Sequence, residues 1–128
     1  MMQEKDGIKY FWDTYALVEI ENGNPKYARY SNEPVIITIF NLAEIFWVML
    51  NQLDEKEAEE VYDTYKNTIV EINDETLKEA IKFRKENKKR NMSYADCIGY
   101  TYALRNNLKF LTGDKEFENL KNVEFVKK

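Results

Sequence analysis

A chain of 128 residues is the size of one domain and long enough to bury a single core. Its 19 Lys and Arg against 23 Asp and Glu leave a net charge of −4, so no global basic field announces a nucleic-acid partner, although a local patch or a bound cation can reverse the field at a site. With no histidine, imidazole catalysis is excluded; with one cysteine, Cys97, an intrachain disulfide is excluded and a reducing, cytoplasmic setting is expected.

Residues 1–7, Met-Met-Gln-Glu-Lys-Asp-Gly, read as a short polar tail without the apolar core of a secretion signal. Residues 8–12 form a strand-like run, and Asp13 is placed to cap a helix through about residue 20. Asn22-Gly23 ends that helix, and Asn24-Pro25 supplies a cap and first position for a short one. Residues 35–50 are strongly apolar but fall short of the roughly 20 residues of a membrane span and contain Asn41 and Glu44, so buried core is expected. The β-branched residues at their start favour a brief extended lead-in before a helix over 42–52, with Thr38 or Asn41 as its cap.

Asp54 followed by Glu57 is a capping-box pattern, and Ala58, Val61, Tyr62 and Tyr65 then recur at helical spacing. Residues 69–72 read as a strand, and Asn73 as the cap of a helix with Leu77, Ala80 and Ile81 inward. That helix runs out in Lys82, Arg84, Lys85, Lys88, Lys89 and Arg90. Ser93 caps the next, which carries Ala95, Ile98, Gly99 and Tyr102 on one face and ends at Asn106-Asn107 in a left-handed turn. A strand over 109–112, a helical turn or two over 115–120 and a last strand over 123–126 complete a chain in which strands and helices alternate. That alternation predicts one α/β domain with a mostly parallel sheet.

Four acids stand at the punctuation points of this pattern: Asp13, Glu44, Asp96 and Asp114. Each alone reads as a cap or a capping-box acid. Together they read differently, because Asp13 and Asp114 both follow strands and so reach the same edge of a parallel sheet. Glu44 and Asp96 lie among apolar neighbours, where an ionised carboxylate is costly unless paired or bound to a cation. Asp54 and Glu57, by contrast, sit among other charges. A cluster that holds a divalent cation is therefore expected. The basic run offers either a solvated cationic helix end or, through Lys85, Lys88, Lys89 and Arg90, contacts to the phosphates of a nucleic acid. Trp12, Tyr94 and Tyr100 are candidates for core or for stacking on bases. Asp13 as a phosphoacceptor is disfavoured, because no second Asp follows two residues on.

Tyr-Phe-Trp-Asp13-Thr14, Asn-Leu-Ala-Glu44-Ile, Ser93-Tyr-Ala-Asp96 and Phe-Leu-Thr112-Gly-Asp114-Lys-Glu-Phe117 resemble the four acidic motifs of PIN-domain proteins, and in order and total length the small VapC-type toxins. The resemblance covers essentially the whole chain. It implies a PIN-like three-layer α/β/α fold with a central, mostly parallel sheet of four or five strands. It also implies an Mg²⁺- or Mn²⁺-dependent endoribonuclease, with Asp13, Asp96 and Asp114 as metal ligands and Glu44 as a further ligand or the group that orients water. Thr112 would support the cluster and Glu116 stand at its rim. A cognate antitoxin and a homodimer are implied as well. Cys97 departs from the pattern, standing where a small residue such as Ala is usual. The alternative is the same fold serving as an RNA-binding or protein-interaction module without nuclease activity.

Overall fold

The computed structural model describes residues 7–128, so the polar tail expected at 1–7 lies outside them except for Gly7. Tyr10–Trp12 (β1), Lys109–Thr112 (β2) and Val123–Phe125 (β3) form a parallel sheet in the order β1-β2-β3. Phe11 lies opposite Phe110, and Leu111 opposite Glu124. Successive residues of β1 enter different cores, as the two-residue period of a strand requires. Tyr10 and Trp12 join Leu17, Tyr27, Ile45 and Leu111 on one face, while Phe11 joins Ile98, Tyr100, Phe110 and Phe117 on the other. Two cores separated by one sheet make the three-layer α/β/α arrangement.

The helices are Thr14–Glu21 (α1), Ile39–Gln52 (α2), Glu55–Tyr65 (α3), Asp74–Glu86 (α4) and Tyr94–Arg105 (α5). Helix α2 begins earlier than expected, because Thr38 caps it and forms a capping box with Asn41. Asp54 with Glu57 and Ser93 with Asp96 form the two other boxes, and Asn107 adopts the left-handed conformation (φ 59°) that ends α5. The apolar run at 35–50 becomes the lead-in and most of α2, and no helix among the described residues is long and apolar enough to cross a membrane.

Two expectations are corrected. The fourth and fifth strands shrink to a single parallel bridge between Ile37 and Ile69. The Trp12 N–H donates to the Ile36 carbonyl at 3.0 Å, so this pair extends the sheet beyond β1. The run at 69–72 pairs no further because Asn73 already caps α4, accepting from the Thr76 N–H at 2.8 Å. Helix α4 is also rotated from expectation: Ala80 is buried as expected, but Leu77 and Ile81 are exposed and Thr76 is buried in their place. Small residues at spacing four let α4 lie close against α5.

Helix α5 is buried on nearly every side, from Ala95 through Ala103, and serves as a core element rather than a surface helix. Gly99 permits this, since a Cβ there would come within 2.4 Å of Phe11 Cε1. The first turn of α5 is thereby fixed at the end of β1, where Asp13 begins.

Candidate functional site

Asp13 leaves the end of β1 with its backbone N–H on the Leu111 carbonyl at 3.0 Å. It occupies the position before α1, yet its side chain caps nothing. Its carboxyl group is instead almost wholly buried and accepts from Thr112 Oγ1 at 2.6 Å. Thr112 Oγ1 in turn accepts from the Asp114 N–H at 3.0 Å. One hydroxyl at the end of β2 therefore ties the first acid to the backbone of the last. Asp114 Oδ1 accepts from the Glu116 N–H at 3.0 Å, turning the chain into a short 3₁₀ turn, Lys115–Phe117.

Asp96 does two jobs. Its Oδ2 accepts from the Ser93 N–H at 2.8 Å, completing the capping box. It also lines the same pocket as Asp13, whose carboxyl its charge pushes upward. Glu44 does not belong to the capping box expected with Asn41, which pairs with Thr38 instead. Glu44 Oε1 accepts from Thr14 Oγ1 at 2.5 Å, and Asn41 Nδ2 donates to that same hydroxyl at 3.1 Å. Asn41 Oδ1 is fixed by the Thr38 N–H and hydroxyl at 3.0 and 2.8 Å. The first turn of α2 thus orients Glu44 through a buried relay.

Asp13, Asp96 and Asp114 line one pocket of about 250 Å³ together with Thr14, Tyr15 and Glu19. Burial pushes the Asp13 carboxyl well above the usual carboxylate range, with the charges of Asp96, Asp114 and Glu44 adding to it and the Thr112 bond opposing. Burial likewise raises Asp96, against the Ser93 bonds and with the charge of Asp114. Glu44 is raised by burial and the Asp96 charge, against the Thr14 bond. Like charges this close each disfavour the other's ionisation.

A divalent cation fits this donor set. The donors are all oxygen, the preference of hard cations such as Mg²⁺ and Mn²⁺, and the positive charge would offset the repulsion among the acids. Among the described residues no three acidic side chains stand close enough to form a ready cage. Asp13, Asp96 and Asp114, which share the pocket, are the residues that would hold such a cation.

The remaining expected residues are spread more widely. Glu116 contributes backbone rather than carboxylate: its N–H bonds Asp114, and its carbonyl accepts from Arg90 Nη1 at 2.7 Å. Lys85, Lys88, Lys89 and Arg90 line their own hollow of about 220 Å³ at the α4–α5 connection, apart from the acidic pocket. Trp12 and Tyr100 are buried core and offer no face for stacking, whereas Tyr94 is exposed, with the Arg84 guanidinium 4.2 Å from its ring centre. Sequence reasoning missed Thr14 and Glu19. Glu19 is buried, accepts from Asn24 Nδ2 at 2.8 Å and lines the acidic pocket. Its signal was its spacing: four residues after Tyr15, on the inward face of α1.

The family model described as PIN domain matches residues 10–123. Comparison with curated proteins by sequence gives no match. Among solved structures, the sarcin-ricin loop cleaving toxin VapC20 of Mycobacterium tuberculosis is similar, with a TM-score of 0.77 at 16% identity over 92% of this chain and 99% of that one. A chain of a toxin–antitoxin complex from Klebsiella pneumoniae gives 0.70 at 18% identity over 91% and 96%. One of VapBC2 from Rickettsia felis, bound to a DNA fragment from its promoter, gives 0.68 at 16% over 92% and 97%. The family match spans both ends of the acidic pocket, from β1 to β3, and the chain belongs to the PIN domain family.

Proposed function

We propose that the chain is an Mg²⁺- or Mn²⁺-dependent endoribonuclease and the toxin of a toxin–antitoxin pair. The observation that carries this reading is Asp13: a buried carboxyl group at the end of β1 that caps no helix and shares a pocket with two further acids. A structural acid at that position would bond the backbone of α1. This one is held by Thr112 and kept facing Asp96.

Asp13, Asp96 and Asp114 bind the cation, and Thr112 positions the first and last of them. Glu44, held by Thr14, orients water for in-line attack on a phosphodiester. Attack at phosphorus displaces the 3′-oxygen, leaving a 5′-phosphate and a 3′-hydroxyl. When bound, the cation acidifies water and offsets charge developing on the phosphate. None of these roles needs an imidazole, in keeping with a chain that has no histidine. Lys85, Lys88 and Lys89 add phosphate attraction farther out, while Arg90 is committed to the Glu116 carbonyl and stiffens the turn after Asp114.

Support for a protein partner comes from α2. Its outward face carries Ile39, Phe40, Trp47 and Leu50, with Trp47 67% exposed, and a contiguous apolar stripe of this kind marks an interaction surface. The toxin–antitoxin complexes among the similar structures support an antitoxin as its partner, and a second copy of the chain in a homodimer is the other proposed occupant. The buried, unpaired Cys97 supports a reducing, cytoplasmic setting.

The test is incubation of the purified chain with end-labelled single-stranded RNAs in Mn²⁺ or EDTA, beside Asp96→Asn. Cleavage that needs metal, yields 5′-phosphates and vanishes in the variant supports the reading. Binding of RNA without cleavage on a broad panel would establish the binding-module alternative instead.

A further inference from the structure

A second hollow, of about 460 Å³, opens beside the acidic pocket and shares two of its walls, Tyr15 and Asp114. Its other lining includes Phe125 and the lysines Lys115 and Lys127. Tyr15 and Phe125 are half-buried and line the hollow. Tyr15 lies directly against Gly113. A Cβ at that position would meet Tyr15 Cε1 at 2.3 Å and the Val126 carbonyl oxygen at 2.5 Å, so only glycine lets the chain after β2 pass beneath the ring. Lys115 and Lys127 are exposed, and among the described residues neither forms an ion pair; Lys128, by contrast, reaches Glu19 at 3.8 Å.

Aromatic faces beside unpaired cations form the pairing that single-stranded nucleic acids use, with bases stacked and phosphates neutralised. The volume falls within the roughly 300–1,000 Å³ of small-ligand sites. The Lys85–Arg90 hollow lacks both features, having no aromatic wall and no residue in common with the acidic pocket. We propose that the Tyr15–Phe125 groove seats the nucleotide adjoining the scissile phosphate of a single-stranded RNA, with Lys115 and Lys127 on its flanking phosphates. Tyr15 then fixes where the strand turns from groove into acidic pocket, and the groove favours bases by stacking rather than by their edges. This inference rests on the ribonuclease reading.

The test measures binding of a fluorescein-labelled single-stranded RNA of about twelve nucleotides, a length within one single-strand site. It uses the cleavage-deficient Asp13→Asn chain across a salt series, with cleavage by the otherwise native chain followed in parallel. Adding Lys115→Ala and Lys127→Ala together is expected to weaken binding about ten-fold and to shrink the salt slope by about 1.4, two phosphate contacts at roughly 0.7 each. Phe125→Leu keeps apolar bulk but removes the ring, and is expected to weaken binding about five-fold or more with the salt slope unchanged. An unchanged slope in the double lysine variant, with RNA still bound and cut by the native chain, overturns the groove alone. A fall in slope confined to Lys88→Ala with Lys89→Ala, with none in the Lys115 and Lys127 variant, would also overturn it, placing the strand on the other side. No binding and no cleavage by the native chain would remove the ribonuclease reading and the groove with it.

Discussion

Asp13→Asn separates a binding-site acid from a capping acid, because the two roles predict opposite changes in stability. Asparagine keeps the shape of the side chain, and its carbonyl oxygen can still accept from Thr112 Oγ1, now at 2.6 Å from Asp13 Oδ2. No cap is lost, since Asp13 makes none. What disappears is a carboxyl group 2% exposed, pushed well above the usual range by burial and by three acidic neighbours. Removing a buried carboxyl repelled by three acids is worth about 1–3 kcal/mol, the scale of a buried polar group's desolvation. At roughly 4 °C per kcal/mol for a domain of this size, the metal-free variant should melt about 4–12 °C above the native chain at pH 7. A cap would instead be worth about 0.5–2 kcal/mol in the other direction, and Asp54→Ala, which removes a true capping box, should show that loss. The assay is thermal or urea unfolding in EDTA, alongside RNA cleavage, which the variant should lose by at least about 100-fold. An Asp13→Asn chain that is less stable without metal and still cuts RNA would refute the reasoning.

The same electrostatics set a pH dependence. The folded-state values of Asp13, Asp96 and Glu44 lie above their ordinary 3.8, 3.8 and 4.5, so above about pH 4 the folded chain binds more protons than the unfolded one. Their contribution is fully present below that range and is lost as pH rises through the folded values; urea midpoints in EDTA should fall from pH 4 upward, and a rise over that interval counts against the cluster. Thr112→Val removes the hydroxyl that joins Asp13 to the Asp114 N–H, and should lower cleavage about 10–100-fold as loss of a ligand-orienting group does. Thr14→Val frees Glu44 and should lower the turnover rate with little change in KM; an effect confined to KM would place Glu44 in substrate binding. Gly99→Ala drives a methyl into Phe11, 2.4 Å away, and should cost about 1–3 kcal/mol by denaturant titration, while Gly23→Ala, with open space around it, reports only the strain of its φ of 76°.

Much of the architecture was legible because local chemistry and tertiary role agree. Ser93 and Asp54 cap where their spacing says they should, and Asn107 turns left-handed where the helix pattern stops. The acids were legible through contrast: Glu44 and Asp96 stand among apolar residues, Asp54 and Glu57 among charges. What sequence could not show was partnership across the chain. Thr14 looked like an ordinary first-turn residue, and only the fold brings its hydroxyl to Glu44, 30 residues away. The inward face of α4 was right at Ala80 but wrong at Leu77 and Ile81, the more apolar residues. Close packing on α5 selected the small Thr76 beside Ala80 instead. The strand at 69–72 failed for a related reason: its β-branched residues suit a strand, but a sheet edge one pair long is all the chain allows before Asn73 starts α4. Trp12 and Tyr100 belong to the core, where Tyr100 still satisfies its hydroxyl by donating to the Lys121 carbonyl at 2.7 Å.

The central claim is that Asp13, Asp96 and Asp114 form one cation site, and Mn²⁺ titration of unfolding temperature at pH 7 tests it most directly. A cation that binds only the folded chain adds about 2.7 kcal/mol at a hundred times its Kd. The native chain should therefore gain roughly 10 °C in excess Mn²⁺, while the Asp13→Asn chain gains little. Equal shifts in the two chains, or no shift in either at millimolar Mn²⁺, would contradict the site.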